Sequence, residues 1–461
     1  MKNALLIFAF LSFYLSSVHA SVEIRSNKLT TGDGLANNSI RYMFQDSKGF
    51  MWMGTVNGLS YYDGNSFVSI YPDPNLPISL ADPRIRNMEE DSNGFLWIAT
   101  LSSLYSCYDL KHGRFVDFTG CGEYKQSYSK KIIASDQSIW LWDNNNGCRR
   151  VVYQDGQFSS QAYKKELGNL SSDEVLFVYE SNDSPGHVWI GTKQGLWKYH
   201  DGKLEAMDTQ GESWEHIFSY DQYTCIITGK KEIYRHSLSN NRLEKIASLT
   251  ELGDTGVITG SLRLQHQWVM FTATGSYILD PVTGKLRRFS RLNIKNGNVT
   301  RDNKGNAWVH NYTGNVWYVN TSTGDIKHFQ FLSSEHLGYI DVERYSIIHD
   351  SRDIIWITTY GNGLFAYDLN TGDLQHFTFE VSHSSHINSN YLQYIIEDRS
   401  GGIWVSSEFS GLSHLEILNK GTLRIYPNGE DASDRSNTIR MLLRGKNGNV
   451  YMANRMGTLY E

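Results

Sequence analysis

A unit of forty-odd residues repeats along this chain, and that repeat constrains the fold more than any other feature. Residues 44–64 read FQDSKGFMWMGTVNGLSYYDG and residues 89–109 read EEDSNGFLWIATLSSLYSCYD. SNDSPGHVWIGTKQGLWKYHDG, HDSRDIIWITTYGNGLFAYDLNTG and EDRSGGIWVSSEFSGLSHL follow. The shared pattern is Asp-x-x-Gly, two residues, Trp, an apolar residue, a small residue, Thr or Ser, a turn, Gly-Leu and Tyr-Asp. Its register falls at Trp52, Trp97, Trp140, Trp189, Trp268, Trp308, Trp356 and Trp404, with Cys225 and Tyr451 in two weaker copies.

A period in the forties with several short strands per unit is the mark of propeller blades. Each unit supplies four strands. Strand A precedes Asp-x-x-Gly, strand B carries the Trp, strand C runs from Gly-Leu to Tyr-Asp, and strand D is a short aromatic run such as GRFVDF or GDLQHF. Aromatics at 13% and only 7 Pro suit half-buried strands, and no segment has convincing helical periodicity. The Trp is expected between adjacent sheets. The Asp begins the A–B turn, where it can cap its own backbone, and the Gly supplies a positive φ. The expected fold is all-β: a seven-bladed β-propeller followed by an incomplete second one. Seven registers, from Trp52 to Trp308, place residues 21–335 in the first ring, and residues 336–461 open the second and stop inside strand C of its third unit.

Lys2, the apolar run Ala4–Leu15, and Val18 and Ala20 before Ser21 read as a signal peptide over 1–20, so the protein is expected in the periplasm. Cys107, Cys121, Cys148 and Cys225 make neither a disulfide framework nor a metal pattern. Cys107 and Cys148 fall at similar places in neighbouring repeats, and no bond between them is expected. The net charge of −6, without a basic stripe, argues against a nucleic-acid partner.

Residues 30–67, TTGDGLANNSIRYMFQDSKGFMWMGTVNGLSYYDGNSF, resemble the opening of the two-component regulator propellers. More narrowly, the chain is similar to the periplasmic sensor region of hybrid two-component histidine kinases that govern polysaccharide use. The resemblance covers residues 22–461; the repeats at Trp140, Cys225, Trp268 and Trp308 match loosely. It implies an oligosaccharide ligand and two seven-bladed propellers. It also implies a β-sandwich, a membrane helix and a kinase beyond them, so that phosphorelay signalling, anchoring in the inner membrane and any homodimer belong to a longer parent. Other readings are the ectodomain of a diguanylate cyclase, or a secreted propeller glycosidase or lyase.

No phosphate loop, His-Glu-x-x-His, nucleophile elbow or kinase signature occurs, so no catalytic residue, cofactor or metal is expected in this chain. His383 and His386 lack further ligands and read as a solvated loop. Strand alternation puts the D–A and B–C loops on one face and the Asp-x-x-Gly and Tyr-Asp turns on the other. Asn37, Asn38, Asn57, Arg84, Tyr360, Asn362, His386, Asn390 and Arg435 lie in the first set. Their side chains offer the paired hydrogen bonds and aromatic faces that sugars use, which makes them the candidate ligand-binding residues.

Overall fold

The computed structural model describes residues 22, 24–118, 128–181, 184–208, 213–221, 224–229, 232–238, 240–254, 257–302, 304–311, 315–330, 346–380, 386–418, 437–446 and 449–460. The signal segment, His383, Cys121, Arg435 and the expected boundary near 335 lie outside them. The chain divides into two compact units, Ile24–Ile417 and a smaller one formed by Met1–Glu23 and Leu418–Glu461.

The larger unit is a β-propeller. Eight antiparallel four-stranded sheets follow one another at 40–70, 85–116, 130–163, 175–208, 214–248, 260–288, 298–330 and 346–377; we number these blades one to eight. A ninth blade takes three strands from 392–417 and its fourth from the opposite end of the unit. There Ile24–Leu29 pairs antiparallel with Leu412–Ile417, Ile24 opposite Ile417 and Leu29 opposite Leu412. The smaller unit holds one three-stranded sheet of Ile439–Arg444, Val450–Asn454 and Leu459–Tyr460.

The blade count therefore differs from the seven that the registers suggest. The Trp356 and Trp404 blades share a unit with the earlier seven, and the ninth blade packs on the first. Trp404 and Leu412 share a core cluster with Ile40, Met43, Met51 and Met53. The physical reason lies in the open edge of Leu412–Ile417, which has unpaired backbone groups that the N-terminal strand satisfies. Counting repeats cannot reveal which blade receives that strand.

Burial of the motif explains its spacing. All eight register tryptophans are at most 4% exposed. Trp52 packs with Ile85, Met88 and Ile98 of the next blade, and Trp97 with Ile139 and Leu141. In the first turn, Asp46 accepts the Lys48 and Phe50 N–H groups on Oδ1, at 2.9 Å each, and the Trp52 indole Nε1–H on Oδ2 at 2.8 Å. The same indole bond recurs from Trp97 to Asp91, Trp308 to Asp302, Trp356 to Asp350 and Trp404 to Asp398. One carboxylate thus closes the turn and satisfies a buried donor whose loss would leave the indole unpaired. Blades three and six carry Ala134 and Leu262 six residues before Trp140 and Trp268, and neither indole nitrogen has a hydrogen-bond partner.

Cys107 and Cys148 are buried free thiols, and Cys225 is buried as well. Cys107 lies within its strand opposite Trp97, whereas Cys148 opens its strand opposite Trp142, so their places in the blades are not equivalent.

Candidate functional site

Backbone bonds bring the D–A and B–C loops onto one face, as strand alternation requires. The Gly58 N–H donates to Pro83 O at 2.7 Å, Gly361 to Asn390 O at 2.9 Å and Gly411 to Asn38 O at 3.0 Å. On the opposite face, side chains tie several A–B turns to the next blade. Glu90 accepts the Ser47 N–H and hydroxyl, Glu397 those of Ser351, and Gln45 the Arg399 N–H across the ninth-to-first seam.

Several of the sequence candidates serve their own loops. Asn37 Oδ1 accepts the Ser39 N–H and Asn38 Oδ1 the Thr31 N–H, both at 2.8 Å. Asn390 bonds Phe379 through both ends of its amide, at 2.7 and 3.2 Å. Arg84 forks onto Asp82, with Nε at 3.0 Å and Nη2 at 2.8 Å. Asn57 is exposed at the B–C turn of blade one, and its N–H donates to Thr55 Oγ1. His386 is exposed, with its ring 5.9 Å edge-on from Phe377. The Asn362 N–H donates to Thr359 Oγ1, and His376 Nε2 lies 2.6 Å from the Asn362 carbonyl.

Tyr360 leads to a cluster that sequence reasoning passes over. It bridges to Tyr391, with the rings 5.3 Å apart and near perpendicular. Tyr391 is 46% exposed, and its carbonyl accepts the Glu408 N–H at 3.0 Å. The B–C loop that follows carries Phe409, 70% exposed at its apex. Beside it the buried Glu408 accepts Arg41 Nη2 on Oε1 at 2.9 Å and the Gln393 amide on Oε2. Beneath, Tyr42 and Tyr394 lie 4.7 Å apart across the seam, and burial raises both phenols above their ordinary pKa, so both stay neutral donors. Blades eight, nine and one thus gather two exposed aromatic rings and a fixed carboxylate–guanidinium–amide set. A signal was present: SSEFSGL has one residue more between its Thr-or-Ser position and Gly-Leu than TVNGL or TKQGL, and it places there an aromatic ring that neither of them has.

Fold and face together define a β-propeller whose loop surface carries exposed aromatic rings beside a part-buried carboxylate–guanidinium pair. The two component regulator propeller family model matches residues 34–57 and 79–102, one match in each of the first two repeats. A search of curated proteins returned no match. Among solved structures, the chain resembles the extracellular domain of the proposed hybrid two component system BT4673 from B. thetaiotaomicron. Identity there is 16%, with 95% of this chain and 58% of that one covered and a TM-score of 0.40. The corresponding domain of BT3049 from the same organism is 19% identical, with 94% and 70% covered and a TM-score of 0.32. The propeller of Dos1 is 11% identical, with 85% and 94% covered and a TM-score of 0.49. The chain therefore spans less than two thirds of the BT4673 domain.

Among the described residues no helix is long and apolar enough to cross a membrane, and no three His, Cys, Asp or Glu side chains come together as a metal site.

Proposed function

We propose that this chain is the exported, ligand-binding part of a two-component sensor, taking an oligosaccharide on the loop face and passing the signal to a histidine kinase and phosphorelay in a longer protein. The regulator-propeller repeats support the sensor class. The observation that carries the ligand class is the cluster of exposed Phe409 and Tyr391 beside Glu408, Arg41 and Gln393. Aromatic faces stack on sugar rings, and a fixed carboxylate and guanidinium can bond paired hydroxyls.

Calorimetry against a panel of neutral plant and host oligosaccharides tests the reading. Phe409→Ala should weaken binding about tenfold, equivalent to about 1.4 kcal/mol, and Glu408→Gln by a similar factor. Equal affinity in both variants removes the cluster as the site. New reducing ends or unsaturated products would assign the face to a glycosidase or lyase instead.

A further inference from the structure

A cavity opens on the turn face, between blades six and seven, away from the loops. It has a volume of about 560 Å³ and is lined by Arg263, Gln265, His266, Arg301, Thr321 and Ser322. Its walls are tied together across the blade boundary. The Gln265 N–H donates to Thr321 O at 2.8 Å, and the Gln265 amide donates to Thr323 O at 3.1 Å. Arg263 is held in place, with Nη1 on Tyr220 O at 2.7 Å, Nε on Gln265 O at 3.0 Å and the guanidinium over the Tyr220 ring.

Arg301 breaks the blade pattern. It stands immediately before Asp302, where blades one, two and nine have Gln45, Glu90 and Glu397 reaching back to the preceding turn. The preceding turn here is Leu264-Gln265-His266, with no carboxylate. The Arg301 guanidinium has no hydrogen-bond or ion-pair partner among the described residues. Burial lowers its pKa, opposed by the Tyr179 phenol and by no carboxylate. The nearby Asp302 is occupied by the Lys304 and Asn306 N–H groups and the Trp308 indole. In a chain of net charge −6, two guanidiniums and an imidazole thus share a groove that contributes no negative side chain.

We propose that this groove is an anion site, taking a carboxylate, sulfate or phosphate group. Arg301 would be the forked donor, Arg263 the fixed second charge, and the Ser322 hydroxyl an additional donor, the Thr321 hydroxyl being given to Gly305 O at 3.0 Å. The anion could arrive free in solution or carried on an acidic saccharide.

Titration calorimetry with inorganic sulfate and with a hexuronate disaccharide, at low and at physiological ionic strength, separates the two sources. At least one probe should bind, more weakly as salt rises. Arg301→Gln should reduce that binding tenfold or more, with a nearly unchanged melting temperature because the guanidinium holds no hydrogen bond or ion pair among the described residues. Lys111→Gln, a charge removed elsewhere on the surface, should leave it unaltered. Binding of sulfate alone identifies a free-anion site; binding of the disaccharide alone identifies a ligand-borne acid. Binding unchanged in Arg301→Gln, an equal loss in Lys111→Gln, or no binding of either probe overturns the proposal.

Discussion

Asp91 and Asp398 hold the same place in their turns, yet their carboxyls shift in opposite directions. Both are buried, which disfavours the charged form. For Asp91 burial prevails and raises the pKa, although Trp97 and two backbone N–H groups donate to it. For Asp398 the burial effect is outweighed by the His414 ring, whose Nε2 lies 3.5 Å from Oδ2, and by hydrogen bonds from Ser400, Trp404 and the Gly402 N–H, which together hold it well below the carboxylate range. Two neighbours differ: Cys107 faces Trp97 whereas His414 faces Trp404 and stacks on it at 4.2 Å, and the Ser400 hydroxyl donates to Asp398 where Asp91 has, at the matching position, only the Asn93 N–H. Buried histidines set the pH response at this scale. Burial lowers His236 and His310 from 6.5 to about 4. Below pH 6.5 the unfolded chain takes up these protons while the folded chain refuses them, so stability falls as pH drops and the loss saturates near pH 4. Each group contributes up to about 3 kcal/mol at 1.36 kcal/mol per unit. Asp91 acts with the opposite sign near the lower end. Chemical denaturation between pH 7 and 4 should show the decline, and His236→Gln/His310→Gln should flatten the slope. A slope identical to that of the parent would show that neither imidazole is neutral in the fold.

At the scale of elements, the strand Ile24–Leu29 decides how the ring closes. Gly363, Gly147 and Gly411 occupy matching positions, each at positive φ. A Cβ on Gly363 would lie 2.3 Å from Phe377 O, and one on Gly147 the same distance from Tyr163 O, in each case the blade's own outermost strand or its end. A Cβ on Gly411 would lie 2.3 Å from Leu29 O. The N-terminal strand thus fills the place of strand D in blade nine. Gly411→Ala combines a strained φ with that clash and should destabilise by roughly 2 kcal/mol or more. Hydrogen exchange should show the damage as faster exchange at Arg25–Lys28, with blades two to four protected as before. Unchanged protection there would mean that the strand does not depend on this seam.

For the whole molecule, closure predicts which pieces are stable. A nine-blade ring ended at residue 335 loses the partner of Ile24–Leu29 and exposes the faces of blades one and seven. A chain of residues 22–417 should therefore melt cooperatively, while one of residues 22–335 should melt earlier, over a broader range, and tend to aggregate. A seven-blade ring reverses the expectation: the shorter piece would melt as cooperatively as the longer. Calorimetry of the two pieces at equal concentration distinguishes them.

The sequence alone determined the blade and its chemistry, because those depend on contacts within one repeat. Period-two strands, the Asp-x-x-Gly turn and the buried Trp are local, and even the unpaired indoles of Trp140 and Trp268 are legible from Ala134 and Leu262 six residues earlier. The segregation of loops and turns onto opposite faces follows from strand alternation and was equally legible. Which loop residues are free to meet a ligand was not. Asn37, Asn38, Arg84 and Asn390 are polar in the right loops, but their bonds close those loops. Glu408, Phe409 and Arg41 become neighbours only when blade nine meets blade one, a contact between residues 367 positions apart. The number of blades in the ring was decided by the same long-range pairing. A strand's own residues specify that it needs a partner; only the tertiary structure specifies which edge supplies it.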